Sequence, residues 1–234
     1  MTSAPTPLST DPRSAEARPA ATGAGSFLDM AALAATPLAT DPYDHIVVPT
    51  FVRPEALAGV LADYPEVPGP GSHPPSELTI RGRFAALMAE LDGPAFRKAI
   101  EEKFGLDLTG RPTMYTVRGW CRPTDGKIHT DSKTKIITVL VYLNEAWDAD
   151  GGRLRILRNG TDLNDYVAEV PPHGGTLLVF RRSETSWHGH EPFDGKRRAI
   201  QMNWVTDADV VAYEQRRHRI STVVKKLNPF RRAG

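Results

Sequence analysis

The sequence predicts a mainly β domain, a barrel or jelly roll, with supporting helices before it and one helix after it. Two observations carry this prediction. The apolar residues recur at helical spacing up to about residue 104, and from Pro112 onward they recur at strand spacing. After that point many short strand-like segments are separated by Gly and Pro turns, such as Gly151-Gly152 and Gly174-Gly175. Short strands with this punctuation are typical of barrels and jelly rolls.

The first half of the chain supplies the supporting helices. Pro65 ends one helical segment, because proline cannot continue a helix, and Gly105 suits the C-terminal cap of another. The predicted helices are 27–38, 53–64, 81–91 and 94–104, with one strand at 44–48.

The second half supplies the strands. Residues 136–143 form an unbroken apolar and β-branched run, which predicts a strand covered on both faces. The other predicted strands are 114–120, 154–157, 166–170, 176–180, 187–190 and 198–205.

The ends of the chain differ in composition from this core. Residues 1–25 are rich in Ala, Pro, Thr, Ser and Gly, so we expect them to be disordered. The domain then spans 26–207, with a jelly-roll core at about 112–205. Asp207 can cap a basic helix and tail over 208–234. That basic stretch is either a solvated surface or a contact for an anionic partner or membrane surface.

Composition excludes several classes of protein. The apolar fraction of 40% and the charged fraction of 24% are ordinary for a soluble domain. A net charge of +1 gives no reason to expect nucleic-acid binding. The single cysteine, Cys121, excludes an internal disulfide and fits a reducing compartment. No segment resembles a membrane span or a secretory signal, so we expect a cytoplasmic protein.

Three residues form a candidate metal site. His129 and Asp131 are two residues apart, so in an extended segment their side chains point to the same side. His188, on a later predicted strand, supplies a third ligand. Two imidazoles and one carboxylate hold one face of Fe(II) and leave the opposite face open. His190 competes with His188 for this place, since both lie on the same side of an extended strand. Pro192 fixes the register of the segment, which favours His188 as the ligand and places His190 at the mouth of the site.

With these residues in place, the stretch 115–205 resembles the prolyl-4-hydroxylase-like branch of the 2-oxoglutarate/Fe(II)-dependent dioxygenases. The pieces occur in the family's order, except that the segment from Pro192 to the doubled arginine is one residue shorter. The matching pieces are His129-Thr130-Asp131, 138–144, Trp147, 151–154, 172–180, His188 with Pro192, and Arg198 with Trp204.

The resemblance implies a double-stranded β-helix that binds Fe(II) through His129, Asp131 and His188. It also implies that O₂ oxidatively decarboxylates 2-oxoglutarate to succinate and CO₂ while a substrate C–H bond is hydroxylated, with ascorbate left open as a further cofactor. Arg198 is at the family's position for the distal carboxylate of 2-oxoglutarate. Tyr115 matches a family tyrosine that hydrogen-bonds this co-substrate.

Arg197 is the alternative to Arg198. Neighbours in a strand point to opposite faces, so only one of the two enters the barrel. Counting by twos from Arg198 gives the apolar residues Ile200, Met202 and Trp204, which suggests that Arg198 faces the interior.

Two other classes of function stay open at this point. A zinc hydrolase would use the same ligands, although it has no need of a buried carboxylate clamp. A non-catalytic binding module would not need the intact triad. The substrate is a peptidyl proline, a free amino acid, another peptide or a small metabolite, because a fold does not set a substrate.

Overall fold

The computed structural model describes residues 25–211, in which four helices precede most of the sheet. Proline at the first helical position begins α2 and α4, where its missing N–H costs no hydrogen bond. Gly105 ends α4 in the left-handed region, with a φ of 61°. The helices are α1 (Met30–Ala35), α2 (Pro54–Ala62), α3 (Gly82–Leu91) and α4 (Pro94–Phe104), with a short 3₁₀ helix at Pro75–Glu77.

Eight strands form the rest of the domain, and each predicted strand is present within a few residues. The eight are β1 (His45–Val48), β2 (Thr113–Cys121), β3 (Lys135–Tyr142), β4 (Leu154–Leu157), β5 (Tyr166–Val170), β6 (Leu177–Arg181), β7 (His188–Gly189) and β8 (Gly195–Val205).

The strands form two antiparallel sheets. The large sheet has the order β1-β6-β3-β8-β2, and the small sheet has the order β5-β4-β7. The two sheets face each other without closing into a barrel, which is the jelly-roll arrangement. The predicted fold class, a mainly β jelly roll with flanking helices, is therefore confirmed.

The two faces of the large sheet have different neighbours. One face packs on the helices in a helix-facing cluster of buried apolar residues, which includes Ile200, Met202 and Trp204 of β8. The other face packs on the small sheet in an inner cluster that consists of Tyr43, Leu140, Tyr142, Leu154, Ile156, Val170, Leu178, Phe180 and Ala199. Strand β3 contributes to both clusters, so the prediction that it is covered on both faces is confirmed.

A β-bulge interrupts the pairing of β2 with β8. Arg118 pairs with Ala199, and Trp120 pairs with Lys196. One residue of β2, Gly119, therefore lies opposite two residues of β8, Arg197 and Arg198. Bulges re-aim side chains next to functional sites.

The predictions for the two ends lie mostly outside the described residues. The predicted disorder covers residues 1–25, of which the structure describes only Gly25. The predicted capping by Asp207 is present, since its Oδ1 accepts a hydrogen bond from the backbone N of Val210 at 3.1 Å. Residues 208–211 are helical. The rest of the predicted basic helix and tail, and with it the predicted contact for an anionic partner, lies in 212–234, outside the described residues. Within 25–211, none of the helices is both long and apolar enough to cross a bilayer.

Candidate active site

The three predicted metal ligands converge at one end of the space between the sheets. His129 and His188 form an antiparallel bridge, in which each backbone N donates to the other's carbonyl oxygen at 3.0 Å. Directly opposite residues project to the same side of a sheet, and the two ring centroids are 4.3 Å apart. The ligand atoms of His129, Asp131 and His188 all lie within 4.8 Å of one another.

Hydrogen bonds fix both imidazoles in the form that binds a metal. Nδ1 of His129 lies 2.8 Å from the carbonyl oxygen of Lys127, and Nδ1 of His188 lies 3.0 Å from that of Ser186. Because a carbonyl oxygen only accepts, each Nδ1 carries the proton. Each Nε2 is then left with its lone pair available to a cation.

The Asp131 carboxylate is held by two side chains, one of which is supported by a third. Its Oδ1 accepts from Nζ of Lys135 at 2.7 Å, and its Oδ2 accepts from the hydroxyl of Thr138. Thr138 in turn accepts from Nδ2 of Asn203 at 2.8 Å. This chain of bonds runs from β8 through β3 to the ligand, so the sheet itself orients the carboxylate.

The charges of this cluster favour cation binding. Burial raises the pKa of Asp131, but Lys135 and His188 outweigh that effect and hold it below its ordinary value. Burial lowers the pKa of His188 to about 4, partly offset by the negative charge of Asp131. At neutral pH the pair is thus a carboxylate and a neutral imidazole, which are the protonation states that a metal requires.

A buried arginine lies deeper between the sheets, and it is Arg197. Its Nε donates to the carbonyl oxygen of Gly152 at 2.8 Å, and its Nη2 lies 3.4 Å from the hydroxyl of Tyr142. Only 5% of Arg197 is exposed, and within 25–211 no carboxylate forms a salt bridge with it. A buried guanidinium without an anion is costly, so the arrangement is suited to an anionic ligand.

The predicted orientation of the two arginines is wrong. Arg198 points to the helix side, where its guanidinium carbon lies 4.8 Å from the centre of the Tyr64 ring. The apolar residues that alternate with it in β8 belong to the helix-facing cluster, not to the space between the sheets. Arg197 points inward instead, together with Ala199 of the inner cluster and Asn203 of the Asp131 network.

Tyr115 is also on the helix side. Its hydroxyl donates to Oδ1 of Asp92 at 3.1 Å and lies 3.2 Å from Sδ of Met202. It packs against the helix-facing cluster, so the predicted contact with a co-substrate between the sheets is wrong. Sequence reasoning missed Tyr142, which lies inside and touches Arg197. The alternation of β3 contains the signal, because Thr138 and Tyr142 are four residues apart and share a face.

His190 is buried beside Arg197, not placed at a mouth. Its Nδ1 bonds the carbonyl oxygen of Glu191 at 2.8 Å, and its Nε2 lies 3.9 Å from Sγ of Cys121. Burial and the charge of Arg197 lower the pKa of His190 to about 4, so this imidazole is neutral at physiological pH. His190 is not part of the metal cluster.

The motif order and this geometry agree with a comparison against known families. Residues 119–206 match the model of the 2OG-Fe(II) oxygenase superfamily. The resemblance to these oxygenases is thereby confirmed for the segment that contains all three metal-ligand candidates. No curated protein matches the chain.

Several solved structures are similar to this one. A prolyl-4-hydroxylase from Pseudomonas putida is 19% identical, with 76% of this chain and 93% of that chain covered and a TM-score of 0.47. A 2OG-Fe(II) oxygenase family oxidoreductase from Burkholderia pseudomallei is 15% identical, with 76% and 90% covered and a TM-score of 0.49. A viral collagen prolyl hydroxylase from Paramecium Bursaria Chlorella virus-1 is 14% identical, with 71% and 99% covered and a TM-score of 0.47.

Proposed function

We propose that this protein is a 2-oxoglutarate- and Fe(II)-dependent dioxygenase that hydroxylates a C–H bond of its substrate and releases succinate and CO₂. The observation that carries the proposal is the placement of two complementary groups on the inner side of the large sheet. His129, Asp131 and His188 form the metal end. Arg197, buried and without a carboxylate partner among the described residues, forms the anion end.

The donor set fits Fe(II), because two neutral imidazoles and one carboxylate are the ligands of the non-haem oxygenases. When bound, Fe(II) supplies the redox chemistry that couples O₂ and 2-oxoglutarate to hydroxylation of the substrate. The chain's part is to hold the ligands in place. Lys135 and Thr138 orient Asp131, and the backbone carbonyls of Lys127 and Ser186 orient the two imidazoles.

Arg197 replaces Arg198 as the proposed residue for the distal carboxylate of 2-oxoglutarate. A guanidinium donates two parallel hydrogen bonds to a carboxylate, and Gly152 and Tyr142 hold this one in position. The inner cluster contacts both ends, because the Phe180 ring lies 4.7 Å from that of His188 and the Tyr142 hydroxyl bonds Arg197. A co-substrate held at both ends presents its 2-oxo acid group to the metal.

The same contacts argue against the two other classes of function. A zinc hydrolase needs the metal ligands but has no use for a second, cationic end. A binding module without turnover has no use for the hydrogen-bonded support of Asp131 or for neutral imidazoles. The motif resemblance keeps a peptidyl proline among the proposed substrates, beside a free amino acid and a small metabolite. Cys121 is unpaired, and on that ground we propose a reducing, cytoplasmic setting. The resemblance to the oxygenases adds ascorbate as a proposed further cofactor.

The test is succinate release from 2-oxoglutarate by the Fe(II)-loaded protein. Slow release is expected without substrate, and faster release with an accepted one among proline-containing peptides, amino acids and small metabolites. The matched control is the Zn(II)-loaded protein, which should release no succinate. Hydrolysis by the zinc form, with no consumption of 2-oxoglutarate by the iron form, would replace this proposal with the hydrolase.

A further inference from the structure

A second arginine, Arg118, projects toward the same interior from strand β2. It pairs with Ala199 of the inner cluster, and residues opposite each other in a ladder share a face. Its Nε donates to the hydroxyl of Ser72 at 3.0 Å, which anchors the side chain to the loop before the 3₁₀ helix. Among the described residues, its Nη1 and Nη2 have no hydrogen-bond partner.

Arg118 and Arg197 share the inner face of the large sheet, because Arg118 pairs with Ala199, which lies two residues from Arg197 in β8. Burial lowers the pKa of Arg118, and the positive charge of Arg197 lowers it further. In the described part of the chain neither guanidinium forms a salt bridge. Arg197 is buried and Arg118 is partly buried, and two such cations repel each other unless an anion lies between them. The pair is therefore suited to a bound anion that both arginines share.

The charges around the pair define that anion. The one acidic group that acts on Arg118 is Asp125, which attracts it without reaching salt-bridge distance. The neighbouring Cys121 and Tyr142 are neutral, because burial raises the pKa of each. Two guanidinium charges against one carboxylate leave an excess of one positive charge. One further carboxylate balances it.

We propose that Arg118 is a second binding residue for the distal carboxylate of the 2-oxo acid co-substrate, beside Arg197, and that the pair makes the site select dicarboxylic over monocarboxylic 2-oxo acids. This inference rests on the proposed function. A monocarboxylic 2-oxo acid offers the same chelating group to the metal. Because it lacks the distal carboxylate, it leaves Arg118 and Arg197 without an anionic partner. Sites built to pair with a polar group discriminate strongly against analogues that lack it.

The experiment measures co-substrate binding without turnover. The Fe(II)-loaded protein is titrated under anoxia with 2-oxoglutarate and, separately, with 2-oxobutyrate, which lacks the distal carboxylate. The charge-transfer absorbance of the iron–2-oxo acid chelate reports binding. The variants are Arg118→Met, Arg118→Lys and, as a matched control, Arg122→Met, because Arg122 is exposed and lies just beyond the end of the same strand.

Arg118→Met should raise the Kd for 2-oxoglutarate about 10- to 100-fold, the size expected for lost hydrogen bonds to a charged group. Its Kd for 2-oxobutyrate should stay unchanged or fall, since a repulsive cation is gone. Arg118→Lys, which keeps the charge but not the planar donors, should lie between wild type and Arg118→Met. Arg122→Met should match wild type with both ligands.

Two results would overturn the assignment. One is an Arg118→Met variant whose Kd for 2-oxoglutarate equals that of wild type. The other is an equal loss for both 2-oxo acids in Arg118→Met and Arg118→Lys, which is what general damage to the site produces. If the wild-type protein itself binds neither 2-oxo acid, the proposed function fails, and this outcome is distinct from both.

Discussion

The two faces of the large sheet are built from the same strands but have opposite chemistry. On the helix side, β8 presents Ile200, Met202 and Trp204 to a continuous apolar core. On the inner side, the alternate residues include Arg197, which is buried among polar groups, and Asn203, which supports Asp131. The comparison teaches that one face of this sheet belongs to an apolar core, whereas the other presents the residues of the candidate site. Substitutions on the two faces should therefore affect different measurements.

The largest effect is expected at the metal end of the inner face. Asp131→Ala should abolish Fe(II) binding and reduce succinate release below detection, because two imidazoles alone hold Fe(II) poorly. Metal titration and turnover assays measure both. Ser132→Ala, at the exposed neighbouring position, is the control and should behave as wild type. Full activity in Asp131→Ala would show that the inner face does not contain the metal site.

The next effect separates the two arginines. Arg197→Met should raise the KM for 2-oxoglutarate about 150- to 5,000-fold while sparing Fe(II) binding, since losing one partner of a buried charge pair costs about 3–5 kcal/mol. Arg198→Met is the matched control on the opposite face and should change this KM little. If Arg198→Met raised this KM and Arg197→Met did not, Arg198 would be the residue that binds the distal carboxylate. The assignment of the two faces of β8 would then be wrong.

Substitutions on the helix side of the sheet should lower the free energy of unfolding. Trp204 is almost fully buried and stacks on Phe96 of α4, with ring centroids 6.0 Å apart. Trp204→Ala should lower the free energy of unfolding by about 3–5 kcal/mol, measured by urea denaturation. The folded fraction should keep the wild-type KM for 2-oxoglutarate. A large change in the KM for 2-oxoglutarate with little loss of stability would contradict the assignment of stability to this face and of co-substrate binding to the other.

The smallest effect tests Tyr115. Its hydroxyl bonds Asp92 on the helix side, so Tyr115→Phe should cost about 1 kcal/mol of stability and leave the KM for 2-oxoglutarate unchanged. Thermal unfolding and kinetics on the same preparation measure the two. An increased KM without destabilisation would support the contact with the co-substrate that the sequence predicts.

The sequence predicts the fold well, and the structure brings the predicted residues His129, Asp131 and His188 together, because strands and turns have local patterns and motif order places His188. His129 and Asp131 are two residues apart, and the strands are marked by turns on each side. The arginine was misassigned for a physical reason. The apolar alternation of β8 predicts that Ile200, Met202 and Trp204 face the inside of the jelly roll. In this protein they face the helices instead. Alternation identifies two faces of a strand, but it does not say which neighbour each face meets.

Arg118 was not predicted for a related reason. Its importance comes from its pairing with Ala199 and from the nearby charge of Arg197, which are long-range contacts. A lone arginine on an edge strand carries no such signal in the sequence. The alternation of β3 indicates which face Tyr142 shares with Thr138, but the contact between Tyr142 and Arg197 depends on the register of β3 against β8.

The bulge opposite Gly119 makes chain length a constraint in its own right. Two residues of β8 occupy the space of one residue of β2, and those two residues are Arg197 and Arg198. Deleting either would restore regular pairing while keeping one arginine, yet it would change the face on which the preceding β8 residues, Gly195 and Lys196, project relative to the rest of the strand. In evolution or in protein engineering, an insertion or deletion at this point would therefore redirect the chemistry of the site more than most substitutions there.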